Sequence, residues 1–71
     1  MPKLPSISGK KAIKAFEKLG FSVARQRGSH VVMKKSGRGC VVPAHKTLAI
    51  GTLRSAIKQA GVTPDEFVKA L

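Results

Sequence analysis

The chain has 71 residues and a mass of 7.5 kDa, room for one domain of the usual roughly 50–250 residues but not two. A deeply buried multi-substrate active site is also unexpected, because about 60 residues bury only about 60% of their unfolded surface. Fourteen Lys and Arg against three Asp and Glu give a charge of +11 and a pI of about 10.8, which calls for an anionic partner: nucleic acid first, then an acidic protein or an anionic membrane, with a merely solvated basic surface as the bland alternative.

Residues 1–7 read as an extended N-terminal arm, with Pro2 and Pro5 opposing helix. Ser8 is a suitable N-cap. After it, Ala12, Ile13, Phe16 and Leu19 mark one face of a helix over residues 9–19, with Lys10, Lys11, Lys14 and Lys18 mostly opposite. Gly20 supplies the left-handed residue that ends many helices. Residues 21–26 predict a first strand, Arg27-Gly28-Ser29 a tight turn and residues 30–35 a second strand rich in β-branched side chains. Ser36-Gly37-Arg38-Gly39 predicts another turn, with its two glycines at positive φ. Residues 40–42 form a short third strand closed by Pro43. Turns this short require an antiparallel meander.

Residues 44–49 are a loop. Ile50, Leu53, Ile57 and Ala60 then define a second amphipathic helix, ended by Gly61. Thr63-Pro64-Asp65-Glu66 has the form of a capping box with Pro at the first helical position. It opens a short last helix whose expected contacts are Phe67, Val68 and Leu71. The order predicts an α+β domain spanning residues 1–71: α-β-β-β-α plus a short C-terminal helix. Two helices cover one face of a three-stranded antiparallel sheet, leaving its other face or its edge wet.

The lone Cys40 excludes an intramolecular disulfide and suits a reducing compartment. The N-terminus lacks the apolar run of a signal peptide. No stretch approaches the ~18 apolar residues of a membrane span. The expectation is a soluble, cytoplasmic protein with no membrane contact.

Chemistry-bearing residues are few. His30 opens the second strand behind a turn, close after Arg25 and Arg27. Histidine titrates near physiological pH, and a neutral imidazole beside guanidinium groups suits one reaction. It can take the 2′-hydroxyl proton of RNA while the arginines bind the attacked phosphate. On spacing alone, an ordinary surface histidine is the simpler reading. His45, beside Lys46, is either a loop residue or a phosphate contact and second proton-transfer group. Ser29 and Thr52 are either turn and helix-start residues or phosphate donors. Lys34, Lys35 and Arg38 are either a solvated hairpin tip or a phosphate track. Cys40 reads as a small apolar strand residue, with a Cys40–His45 nucleophilic pair the remote alternative. Gly37-x-Gly39 lacks the helix and Lys of a phosphate loop. Too few ligands stand together for zinc, so no metal or cofactor is expected. Without Trp or Tyr, base-stacking platforms are absent.

Several segments in order resemble the HicA toxins, the mRNA-interferase half of HicA–HicB toxin–antitoxin modules. They are Leu19-Gly20-Phe21, Gly28-Ser29-His30, Val42-Pro43-Ala44-His45, Gly51-Thr52-Leu53-Arg54, Gln59-Ala60-Gly61 and the helix start from Thr63 to Phe67. The resemblance runs from about Ser8 to Leu71. It implies a fold like the double-stranded-RNA-binding domain. It also implies metal-free RNA cleavage with His30 as the catalytic residue and a HicB-like acidic antitoxin that covers it. The expected RNA contacts are Arg25, Arg27, Ser29, Lys34, Lys35, His45 and Lys46. A non-catalytic binder of double-stranded RNA is the alternative, and a pure interaction protein answering an acidic partner is the third.

Overall fold

The first helix begins where Ser8 can cap it. In the computed structural model, which describes residues 4–71, Ser8 is extended and its Oγ accepts from the Lys11 N–H at 3.1 Å. That satisfies one of the donors a helix start leaves open. The helix, α1, spans Gly9–Lys18. Ala12, Ala15 and Phe16 are buried, while Ile13 and Leu19 sit half-buried at the edge of the same face. Gly20 follows at φ +99° and turns the chain into the sheet.

The sheet consists of β1 (Ser22–Arg27), β2 (His30–Lys35) and β3 (Arg38–Pro43), antiparallel in the order β1-β2-β3. Phe21, expected as the first strand residue, precedes β1 instead. Its buried ring meets Phe16 edge-on, centroids 5.6 Å apart. Both hairpins close through two residues. Gly28, at φ +55°, leads the first turn in the manner of type II′. In the second, Gly37 is left-handed as expected, but its companion is Ser36 at φ +42°. Gly39 already belongs to β3. Two successive left-handed residues make a type I′ hairpin, whose twist matches that of the strands.

Helix α2 (Ile50–Ala60) returns across the sheet, and α3 (Pro64–Lys69) closes the fold. Leu53, Ala56, Ile57 and Ala60 are buried, whereas Ile50, in the first turn of α2, is exposed. The capping box forms: Thr63 Oγ1 accepts from the Glu66 N–H, and Glu66 Oε1 accepts from the Thr63 N–H. Phe67 is fully buried against Phe16, ring centroids 5.0 Å apart. Val68 is half-buried. Leu71, expected to pack, is 44% exposed.

Val31 and Met33 of β2 and Cys40 and Val42 of β3 face the helices, so alternate residues face outward. The largest fully buried side chains are Phe16, Phe67, Met33, Leu53 and Val42. Truncating Phe16 to Ala should cost about 3–5 kcal/mol, a large share of the roughly 5–15 kcal/mol that holds a domain. The edge of β3 is occupied at one point, where its Val41 N–H donates to Gln59 Oε1 of α2 at 3.2 Å. The described part of the N-terminal arm is packed down. Ile7 is buried, and its carbonyl accepts from the Leu48 N–H at 2.8 Å. Met1, Pro2 and Lys3, the rest of that arm, lie outside the described residues. No described helix is long and apolar enough to cross a membrane.

Candidate active site

The second face of the sheet stays open, and strand alternation decides what stands on it. Paired residues in adjacent antiparallel strands share a face. His30 lies between Arg27 on β1 and Pro43 on β3. In the next outward row, Val32 lies between Arg25 and Val41; in the third, Lys34 lies between Ser22 and Gly39. His30, Arg25, Arg27 and Lys34 are all exposed, around a half-buried Val32 and an exposed Val41. Arg25 and Arg27, two residues apart on one strand, are separated by roughly 7 Å along it. The sheet carries no carboxylate: the three acidic residues are Glu17 on α1 and Asp65 and Glu66 on α3. The open face is therefore uniformly cationic around one histidine.

Local bonds hold the histidine end of this face. Gln26 Nε2 donates to the Gly28 carbonyl at 2.9 Å and braces the turn in front of His30. The Ala44 N–H donates to the Ser29 carbonyl at 2.6 Å, joining the turn to the end of β3. The Gly9 N–H donates to the His45 carbonyl at 2.9 Å. A side chain at Gly9 would collide with the Pro43 carbonyl oxygen and come within 2.9 Å of the Ala44 Cα. Only glycine lets α1 close on this segment. His45 and Lys46, both exposed, continue the chain from the same end.

Of the expected site residues, Arg25, Arg27 and Lys34 share the face of His30, Ser29 stands in the turn before it, and His45 and Lys46 follow the end of β3. Lys35 is placed apart. It has the parity of Met33, and its Nζ donates to the Leu19 carbonyl at 2.7 Å, 5.8 Å from the Phe21 ring centroid. It closes the C-terminal end of α1. Arg38 belongs with it: its side chain runs past the end of α2, where a side-chain carbon added at Gly61 would lie 3.6 Å from the Arg38 Cδ. Thr52 is exposed in the first turn of α2, whose N-cap, Ala49, offers no side-chain acceptor. Cys40 is buried on the helix side, and burial pushes its thiol up to about 11. This overturns the Cys40–His45 pair and leaves the apolar strand residue. Among the described residues, no three His, Cys, Asp or Glu side chains come close enough to hold a metal ion. Gln26 and Gly9 were not singled out by sequence. The one sign was a glycine inside a first helical turn, where most residues fit better.

The family model described as HicA toxin of bacterial toxin-antitoxin matches residues 9–62. No curated protein and no solved structure matches the chain.

Proposed function

The chain belongs to the HicA toxin family and is the toxin component of a toxin–antitoxin module, and on that premise we propose that it is a metal-independent endoribonuclease that cleaves mRNA with His30 as general base. The observation that carries the reading is the position of His30 on the open sheet face, directly opposite Arg27 and beside the Arg25 row.

A neutral imidazole nitrogen of His30 takes the proton of a ribose 2′-hydroxyl. The freed oxygen attacks the adjacent phosphorus, and the bond from phosphorus to the 5′-oxygen breaks. A proton from water or from His45 completes the leaving 5′-hydroxyl, and the other product ends in a 2′,3′-cyclic phosphate that water opens to a 3′-phosphate. Arg25 and Arg27 stabilise the charge gathering on the phosphorane oxygens. Lys34, Ser29 and Lys46 hold neighbouring phosphates in register. A HicB-like acidic antitoxin inhibits by covering His30, steered to the +11 chain by charge. Its activity belongs in the cytoplasm, where mRNA is found.

The test is cleavage of a labelled single-stranded RNA and of its duplex in excess EDTA, comparing wild type with His30→Ala, both verified as folded by circular dichroism. The expected result is cutting by wild type alone, with cyclic phosphate or 3′-phosphate ends. Products ending in a 3′-hydroxyl would refute the pathway. If neither protein cuts and both bind RNA equally, the chain is a binding module of the same fold.

A further inference from the structure

The helix layer carries a groove of about 370 Å³, away from the open sheet face. Its apolar lining is Pro5, Ile7, Ala15, Ala70 and Leu71. Lys11, Lys14 and Lys18 form its rim. They recur at intervals of three and four along α1 and so make one stripe, roughly 10 Å long. Leu71 remains 44% exposed here, a partly open apolar side chain beside a row of ammonium groups.

The combination of apolar floor and one-sided cationic rim selects an occupant. A second copy of this chain does not fit: its three acids are Glu17, on the same helix as the lysines, and the adjacent Asp65 and Glu66 on α3, so it has no row of carboxylates to offer. Residues 1–3 would bring Lys3, a further positive charge. Nucleic acid would satisfy the lysines but set a sugar–phosphate backbone against Ile7 and Leu71. An acidic amphipathic helix satisfies both parts. Its apolar side chains enter the groove, and carboxylates spaced three and four residues apart meet the lysines.

We propose that this groove is a second docking site for the antitoxin, taking an acidic amphipathic helical segment at a surface separate from the His30 face. The proposal rests on the antitoxin reading above. It gives the partner two footholds on opposite layers of one small domain, so that each raises the effective concentration of the other.

The experiment is calorimetric titration of the acidic antitoxin of this module, as the purified full-length chain, into four forms of the toxin. These are wild type, Leu71→Asp, the triple Lys11→Gln/Lys14→Gln/Lys18→Gln, and a control triple, Lys10→Gln/Lys58→Gln/Lys69→Gln, which removes equal charge outside the groove. RNA binding and cleavage are followed in parallel. The groove triple and Leu71→Asp should each weaken antitoxin binding roughly tenfold or more, with the control triple changing it far less and Leu71→Asp cutting RNA as wild type does. Antitoxin binding left intact in Leu71→Asp overturns the proposal, as does equal weakening by both triples. So does a groove triple that loses RNA affinity while keeping the antitoxin, which would make the stripe a nucleic-acid surface. If wild type takes up no antitoxin, the antitoxin reading itself fails and the docking site falls with it; the other outcomes spare that reading.

Discussion

The Ala44 amide donates to the Ser29 carbonyl at 2.6 Å, and through that bond the two histidine-bearing segments become one end of the sheet. Neither group is a side chain, so the link is indifferent to what residue types stand there, except proline. Ala44→Pro removes the donor and leaves the Ser29 carbonyl unpaired, at a cost of about 1–3 kcal/mol. Urea unfolding should show that loss. Single-turnover cleavage measured below the unfolding transition should fall as well, although His30 is untouched. Unchanged turnover would mean that the end of β3 plays no part in positioning the histidine.

Lys34 and Lys35 are sequence neighbours with opposite duties. Lys34 stands on the His30 face, while Lys35 caps the last turn of α1 through the Leu19 carbonyl. Lys34→Ala should weaken RNA binding and lower its salt dependence by about one unit of slope, leaving thermal stability unchanged. Lys35→Ala should do the reverse in stability, losing about 0.5–1 kcal/mol. Paired melting curves and salt titrations of the two variants read this directly.

Cys40 faces the core, with its thiol pushed up to about 11 by burial. Thiol reagents react with the thiolate, so labelling at pH 8 should await unfolding and keep pace with it in urea. A folded-state pKa above the unfolded one adds stability that is fully present below the unfolded value and is lost as pH rises toward about 11. Cys40→Ala should flatten that alkaline limb. It should also leave RNA cleavage unaltered in the folded protein.

Hydrogen bonds from the Thr63 backbone and then its hydroxyl, with Arg38 and Lys35 nearby, hold the Glu66 carboxyl below the usual carboxylate range. A depressed folded value contributes stability above the ordinary carboxylate pKa and loses it as pH falls through the folded one. The capping box should therefore open in acid and loosen α3 before the sheet. Protection against hydrogen exchange at the amides of residues 65–69 should be lost first on acidification, and Glu66→Gln should flatten that response. Thr63→Ala should cost about 1 kcal/mol at neutral pH.

Much of this was legible in the sequence because its signals are local. Ser8, Gly20, Gly61 and the Thr63–Glu66 box each specify a helix end by their own chemistry, and all act where expected. The division between Lys34 and Lys35 was also within reach, since strand alternation forces neighbours to opposite faces once Val31 and Met33 are known to be buried. Three features depend on distant parts of the chain, and no periodicity announces them. They are the contact of Gly9 with Pro43 and Ala44, the exposure of Leu71, and the bond from the Val41 amide to Gln59. At the second hairpin the type I′ turn asks for two left-handed residues in succession, and Ser36 takes one of them although glycine or asparagine would fit more easily.

The bond from the Val41 amide to Gln59 also bears on how the protein behaves at high concentration. A sheet with a free edge invites further strands from other molecules, the first step toward aggregation. With α2 holding that amide of β3, the freer edge is β1, and that strand is bulged near Ala24 and carries Arg25 and Arg27. Two such edges meeting antiparallel would press guanidinium groups together. The arginines assigned to phosphate thus also keep copies of the toxin from adding to one another's sheets.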